Sequence, residues 1–363
     1  MWKRSFQAIL SFVVWTILLA CILFAERLVR RHDATHALDR VDIELVGDTS
    51  HSFLSEQQIR DLVDKSGAAT LGAPLNSVNL RGLKDSLEQH SVIKCAKVYL
   101  THSGRLNVAV EQHVPLLRLR LDGYDAYVSR EGFIFKAPSG QAMLTQVVTG
   151  SYVPPVPSAY VGYLSDGIAD RVAELEEAIR EEGLKFVDIV ADKQRYEEMR
   201  KRPRRRDGES RSDYKQRLAE WNGLSDEMRR SRITYYAGME HDADARYRAV
   251  EQRQDELRAE IKNLQKSYDD FVKLINFVES LSQDSFWGHE VTQIVIHKDS
   301  HGGMDVSLVP RSGTFRILFG SVDDVTAKMS RLERLYTKVL PTTGWDKYKI
   351  IDVKYKNQTI CRQ

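Results

Sequence analysis

The strongest constraint on this 363-residue chain lies near its start: from Phe6 to Ala25 there is no charged side chain. At 1.5 Å per residue, a helix of about 20 residues spans about 30 Å, the thickness of a bilayer core, so the run predicts a single transmembrane helix. Leu18-Leu19-Ala20-Cys21 also has the form of a lipoprotein cleavage box, and Lys3-Arg4 before an apolar run has the form of a signal peptide. Ile22-Leu23-Phe24-Ala25 stays apolar beyond Cys21 and makes the run longer than a cleaved leader needs, which favours a retained helix. Lys3 and Arg4 stand on one side and Arg27, Arg30 and Arg31 on the other, so flanking charge leaves the orientation open.

Composition bounds the remainder. Charged residues make up 29% of the chain and mean hydropathy is −0.40, which excludes a polytopic membrane protein, while 42% hydrophobic content supports sizeable cores. With 53 Lys+Arg against 51 Asp+Glu, no overall field favours nucleic acid. Cys21, Cys95 and Cys361 are too few and too far apart for a disulfide framework or a paired zinc site.

Val41, Ile43 and Leu45 alternate with Asp42 and Glu44 and stop at Gly47, as in a half-buried strand. Ser55 with Gln58 forms a capping box ahead of Ile59, Leu62 and Val63, and Asn79 can cap a second helix carrying Leu80, Leu83 and Leu87. Ala96, Val98 and Leu100 alternate, His102-Ser103-Gly104 turns, and Leu106, Val108 and Val110 alternate again. The expected order is strand, helix, helix, strand, strand. Cys95 reads as an ordinary small core residue of a strand.

Beyond Pro115, Leu117, Leu119 and Leu121 lead to an Asp122-Gly123 turn and a Tyr-rich strand with a further turn at Glu131-Gly132. Val153-Pro154-Pro155-Val156-Pro157 ends regular pairing, because proline removes a backbone donor. Residues 162–269 then hold about 23 Lys+Arg and 25 Asp+Glu, the composition of a solvated helical segment. Leu257, Ile261, Leu264, Tyr268, Phe271, Ile275 and Val278 step by four and three, the stripe of a coiled coil or long packed helix. Val172, Leu175 and Ile179 offer a second stripe to pack antiparallel on it, and Pro203, Gly208 and Gly223 mark breaks. Lys201-Arg-Pro-Arg-Arg-Arg206 is the one dense basic run, read as a solvated linker flanked by acids, with contact to phosphates, lipid headgroups or a wall polymer as the alternative. Strands resume at Val291–Ile296, Met304–Val309 and Thr314–Gly320, then a helix from about Asp323 to Leu340, then a closing segment from Lys349 to Gln363 in which Tyr355 to Ile360 read as the terminal strand.

Little here points to catalysis. His297, Asp299 and His301 have ligand-like spacing, but on a strand end and turn that spacing carries no special meaning. No Gly-x-Ser-x-Gly elbow, phosphate loop or His-Glu-x-x-His is present, so the expectation is a non-enzymatic protein with no cofactor, no metal and no small-molecule substrate.

The pieces Val41-Asp-Ile-Glu-Leu-Val-Gly47, Leu54-Ser-Glu-Gln-Gln-Ile59, Val92-Ile-Lys-Cys-Ala-Lys-Val98 and Leu106-Asn-Val-Ala-Val-Glu111, in that order behind an anchor, resemble a POTRA domain. Leu308-Val-Pro310, Phe315-Arg-Ile-Leu-Phe-Gly320, Lys328 with Leu332, and Ile351-Asp-Val-Lys-Tyr-Lys-Asn357 resemble the β domain of the FtsQ/DivIB family of bacterial cell-division proteins. Without the insertion, the resemblance covers roughly 250 residues; the insertion departs from the family, whose members pass from the proline-rich turn to the next helix with little between.

The resemblance implies an α+β chain. The expected organisation is a cytoplasmic tail at 1–5, a transmembrane helix at 6–26, a linker at 27–38 and a POTRA domain (βααββ) at 39–114. A β-rich domain at 115–161 and 270–363 follows, interrupted by a charged helical coiled-coil insertion at 162–269. It further implies an inner-membrane, single-pass protein of the division site, N-terminus cytoplasmic and bulk periplasmic, acting as a divisome scaffold in septum formation. An FtsB/FtsL-like pair would add a strand at the C-terminal edge, mapped onto Tyr355, Lys356, Asn357, Gln358, Thr359 and Ile360. The POTRA domain resembles the part recruited through FtsK, and no nucleic acid is implied. A structural cell-envelope protein working through its charged hairpin is the alternative.

Overall fold

The structure, a computed structural model, describes residues 15–25, 27, 37–47, 52–101, 103–136 and 142–363. It divides into two units, residues 1–153, 157–163 and 272–363 in the first and 154–156 and 164–271 in the second. Residues 15–25 are helical with every side chain exposed, and residues 6–14 of the expected span lie outside the described residues. Among the described residues no helix is long and apolar enough to cross a membrane.

In the first unit, β1 (Arg40–Val46) is followed by α1 (Glu56–Ser66), α2 (Leu80–Glu88), β2 (Ile93–Leu100) and β3 (Arg105–Gln112). Ser55 starts α1 with a reciprocal cap: its Oγ accepts from the Gln58 N–H at 3.3 Å, and Gln58 Oε1 accepts from the Ser55 N–H at 2.9 Å. Asn79 starts α2 by accepting from the Gly82 N–H at 2.9 Å. These caps hold Ile59, Val63, Leu83 and Leu87 against Leu106, Val108 and Val110 of the central strand β3, which runs parallel to β1 and antiparallel to β2. The expected core place of Cys95 is corrected: a register shift between Ile93 and Cys95 leaves it half-buried, its Sγ 3.6 Å from Glu111 Oε2. His102, expected in the β2–β3 turn, lies outside the described residues.

The second unit is helical. It holds α3 (Leu164–Arg200), α4 (Arg211–Asn222) and most of α5 (Asp226–Gln283), broken around Pro203, Gly208 and Gly223. Pairing of Arg171 with Glu260, Lys193 with Asp244 and Arg200 with Glu240 shows α3 and α5 to be antiparallel. Between them Ile189, Ala243 and Val250 are buried, with Phe186 and Tyr196 packed on this cluster. Of the expected stripe, Leu257, Phe271, Ile275 and Val278 are buried and Ile261, Leu264 and Tyr268 half-buried. At the far end Arg232 lies over Trp221 and Tyr236, 5.5 and 5.8 Å from the ring centres.

The rest of the first unit is one ten-stranded sheet. Its strands are β4 (Pro115–Leu121), β5 (Tyr124–Ser129), β6 (Phe133–Phe135), β7 (Gln146–Gly150), β8 (Gly162–Tyr163), β9 (Val291–Lys298), β10 (Met304–Pro310), β11 (Arg316–Gly320), β12 (Ile350–Asp352) and β13 (Ile360–Arg362). They lie in the order β13-β12-β11-β10-β9-β7-β4-β5-β6-β8. β7 and β9 pair in parallel, Val148 opposite Ile294, so strands from either side of the insertion are neighbours. Gly150 permits this junction: a Cβ there would stand 2.0 Å from the Ile296 carbonyl oxygen, which accepts from the N–H groups of Ser151 and Tyr152. A short α6 (Trp287–Glu290) precedes β9, while α7 (Val325–Arg334), a wider turn at Leu335–Val339 and α8 (Leu340–Thr343) join β11 to β12.

Candidate partner interface at the C-terminal edge

β12 and β13 form one end of the ten-stranded sheet. The connection through α7 brings β12 alongside β11 in parallel, Ile317 opposite Ile351, and β13 returns antiparallel, Ile351 opposite Cys361. The alternation of the closing sequence buries Ile351 and Val353 completely, and the Val353 N–H extends the ladder to the Leu318 carbonyl at 3.0 Å.

Here the expected closing strand is corrected. Of Tyr355, Lys356, Asn357, Gln358, Thr359 and Ile360, only Ile360 lies in a strand; the other five form the turn between β12 and β13. The cause is Asn357, at φ +61°, a left-handed conformation that asparagine tolerates and that reverses the chain. Tyr355 through Gln358 are exposed, Tyr355 at 54%, whereas Thr359, Ile360 and Cys361 are half-buried. β13 is the terminal strand of its sheet, and among the described residues no strand pairs with its outer side.

The turn is held from beneath. Lys354 Nζ reaches Asp305 Oδ2 at 2.6 Å, and the Lys354 N–H donates to Asp352 Oδ1 at 3.0 Å. Arg331, on α7, donates to the Val353 carbonyl at 2.8 Å. Gly320 stands at φ +78° under the Lys354 stem, where a Cβ would be 2.9 Å from Lys354 Cγ. Lys328 is buried; its Nζ donates to the Ser321 carbonyl at 2.6 Å and sits 5.0 Å from the Phe319 ring centre. Burial pulls its pKa below the usual lysine value, against the pull of Asp323 and Asp324. The Lys273 ammonium, 2.8 Å away, holds the Asp323 carboxyl below the usual carboxylate range. Asp305 and Arg331 escaped the sequence reading, since a pair 49 residues apart leaves no local spacing to read.

The histidine-rich turn is an ordinary β9–β10 connection. His297 Nδ1 lies 3.0 Å from Ser151 Oγ, and Asp299 Oδ1 accepts from the N–H groups of His301 and Gly303. Among the described residues no group of three His, Cys, Asp or Glu side chains is placed to hold a metal ion. In the basic run, Lys201 pairs with Glu197, Arg206 with Glu198, and Arg205 donates to the Glu209 carbonyl at 3.1 Å.

A βααββ module joined to an open mixed sheet defines a class: a POTRA-like domain followed by a β domain. Comparison with family models bears this out, since a POTRA-like domain model matches residues 38–111 and one described as FtsQ/DivIB, C-terminal related, matches residues 252–362. The chain belongs to the FtsQ/DivIB-type division proteins. The family comprises non-enzymatic membrane proteins of the division site that interact with other division proteins. A comparison with curated proteins returned no match.

Proposed function

We propose that this chain is a non-enzymatic divisome scaffold that recruits an FtsB/FtsL-like pair by strand addition on the outer side of β13. The carrying observation is the outer side of β13, with which no strand pairs among the described residues, beside a turn whose Tyr355 is exposed while its base is held by Lys354–Asp305 and Arg331. Such an edge supplies main-chain hydrogen bonds for affinity, and Tyr355 to Ile360 supply side chains for specificity. The apolar run Phe6–Ala25, of which residues 15–25 are helical with all side chains exposed, supports one membrane span, and the family resemblance places it in the inner membrane with the bulk periplasmic. FtsK is a candidate partner of the POTRA-like domain on family resemblance.

Affinity capture from membranes tests this reading, with the full chain compared with a chain ending at Thr359 and with Tyr355→Ala. Loss of two small single-pass partners in both variants, with POTRA-side partners retained, supports it. Identical capture by all three moves the recruiting surface away from β13 and toward the helical insertion.

A further inference from the structure

The helical unit carries an uneven charge distribution, only part of which its own ion pairs take up. Residues 164–182, the first half of α3, hold seven Asp+Glu against two Lys+Arg, whereas residues 200–232 at the opposite end hold twelve Lys+Arg against six Asp+Glu. The hairpin is a rod, acidic where α3 begins and basic at its tip.

Ile168, Leu175 and Ile189 mark the side of α3 that is buried. A half-turn away, two residues along a helix of 3.6 per turn, stand Leu184 and Val187, 71% and 69% exposed near the middle of α3. Exposed acids lie on that outward side before them, and exposed Arg195 lies on it after them. Glu176 comes eight residues before Leu184 and Arg195 eight residues after Val187. Glu176 and Arg195 have no ion-pair partner among the described residues.

We infer that the outward face of α3 is a self-association surface that takes a second copy of the same hairpin, antiparallel, about a two-fold axis between Leu184 and Val187. In that arrangement Leu184 of each copy covers Val187 of the other, and Glu176 of each copy faces Arg195 of its partner. Parallel association would set acid against acid and tip against tip, which like-charge repulsion opposes. The face is separate from β13, so this inference stands independently of the partner-recruitment reading.

Disulfide trapping in the full chain tests it, with the three native cysteines replaced by serine. Within one chain residues 176 and 195 are about 28 Å apart along the helix, far beyond disulfide reach, so Glu176→Cys with Arg195→Cys can join only two copies. An antiparallel pair gives covalent dimer from that double variant and from a mixture of the two single variants, but not from either alone. Covalent dimer from Glu176→Cys alone, or none from any of them, overturns the proposal. Light scattering on the otherwise unmodified chain supplies a readout that needs no cysteine. A mass of two copies that falls toward one with rising salt is expected, with Leu184→Asp/Val187→Asp monomeric. Arg195→Glu weakens association by about tenfold and Glu176→Arg added to it restores association. A mass that ignores these changes, with helical circular dichroism unaltered, counts against the surface.

Discussion

The side-chain amide of Gln112 closes a two-bond ring on the backbone of Leu54, 58 residues earlier: Gln112 Oε1 accepts from the Leu54 N–H at 2.9 Å, and Gln112 Nε2 donates to the Leu54 carbonyl at 2.8 Å. Both residues are buried, so the glutamine acts as one more rung of pairing where the main chain has no strand to offer. The ring positions Phe53, which packs edge-on against Tyr127 and Phe135 at 5.2 and 5.6 Å between ring centres. The POTRA-like module is thereby tied to the first strands of the large sheet.

Replacing Gln112 by leucine removes both bonds and strands a buried N–H and C=O at Leu54. The expected loss is about 2–4 kcal/mol, larger than that of an average core substitution. Chemical denaturation of the full chain and of Gln112→Leu checks it, and a loss below about 1 kcal/mol would show that water replaces the amide.

His113 follows directly and is buried, its ring stacked on Phe133 at 3.8 Å between centres. Burial, with Lys94 adding to it and Glu131 and Glu111 opposing, lowers its pKa from 6.5 to about 4. The unfolded chain therefore binds the proton first, so this contribution to stability is complete above pH 6.5 and declines as pH falls through about 4. A loss on the order of 2 kcal/mol across that interval is expected, and it shrinks in His113→Gln. Melting temperature against pH for the two proteins measures the difference.

Ala243 has no exposed surface and lies between Ile189 and Val250 in the helical unit. Ala243→Leu forces extra methyl groups into a filled seam and costs about 1–3 kcal/mol. Leu184→Ala, on the outward face of the same unit, costs less than about 0.5 kcal/mol in monomer stability. Thermal melts followed by helical circular dichroism rank the two, and the reverse order would mean that the buried side of α3 is misassigned.

Gly320 and Lys354 form the pivot of the C-terminal turn. Gly320→Ala meets a left-handed backbone and a side chain 2.9 Å away, so the Lys354–Asp305 pair is displaced and about 1–3 kcal/mol is lost. Partner capture is expected to fall with it. Tyr355→Ala, at an exposed position, leaves the melting temperature unchanged while weakening partner binding by about fivefold or more. Equal effects of both variants on stability and binding would argue that the turn is structural only.

Local chemistry made much of this protein legible. Capping at Ser55 and Asn79, period-two alternation at Val41–Leu45 and Leu106–Val110, and the breaks at Pro203, Gly208 and Gly223 each depend on residues within one or two turns of one another, and each appears in the structure where the sequence puts it. The closing segment did not yield in the same way, because alternation alone cannot show that Asn357 adopts a left-handed conformation and folds an apparent strand into two short ones.

By itself the sequence determined most of the helices and strands, where the charged insertion lies, and the family, because those properties reside in short-range periodicity and in motif order. Tertiary structure decided which strands are neighbours: that β7 meets β9 across the insertion, that Gln112 pairs with Leu54, and that Lys354 reaches Asp305 beneath the last turn. These are hydrogen bonds and ion pairs between residues about 50 to 150 apart. Their partners are selected by the packing of the whole sheet, and no local spacing encodes them.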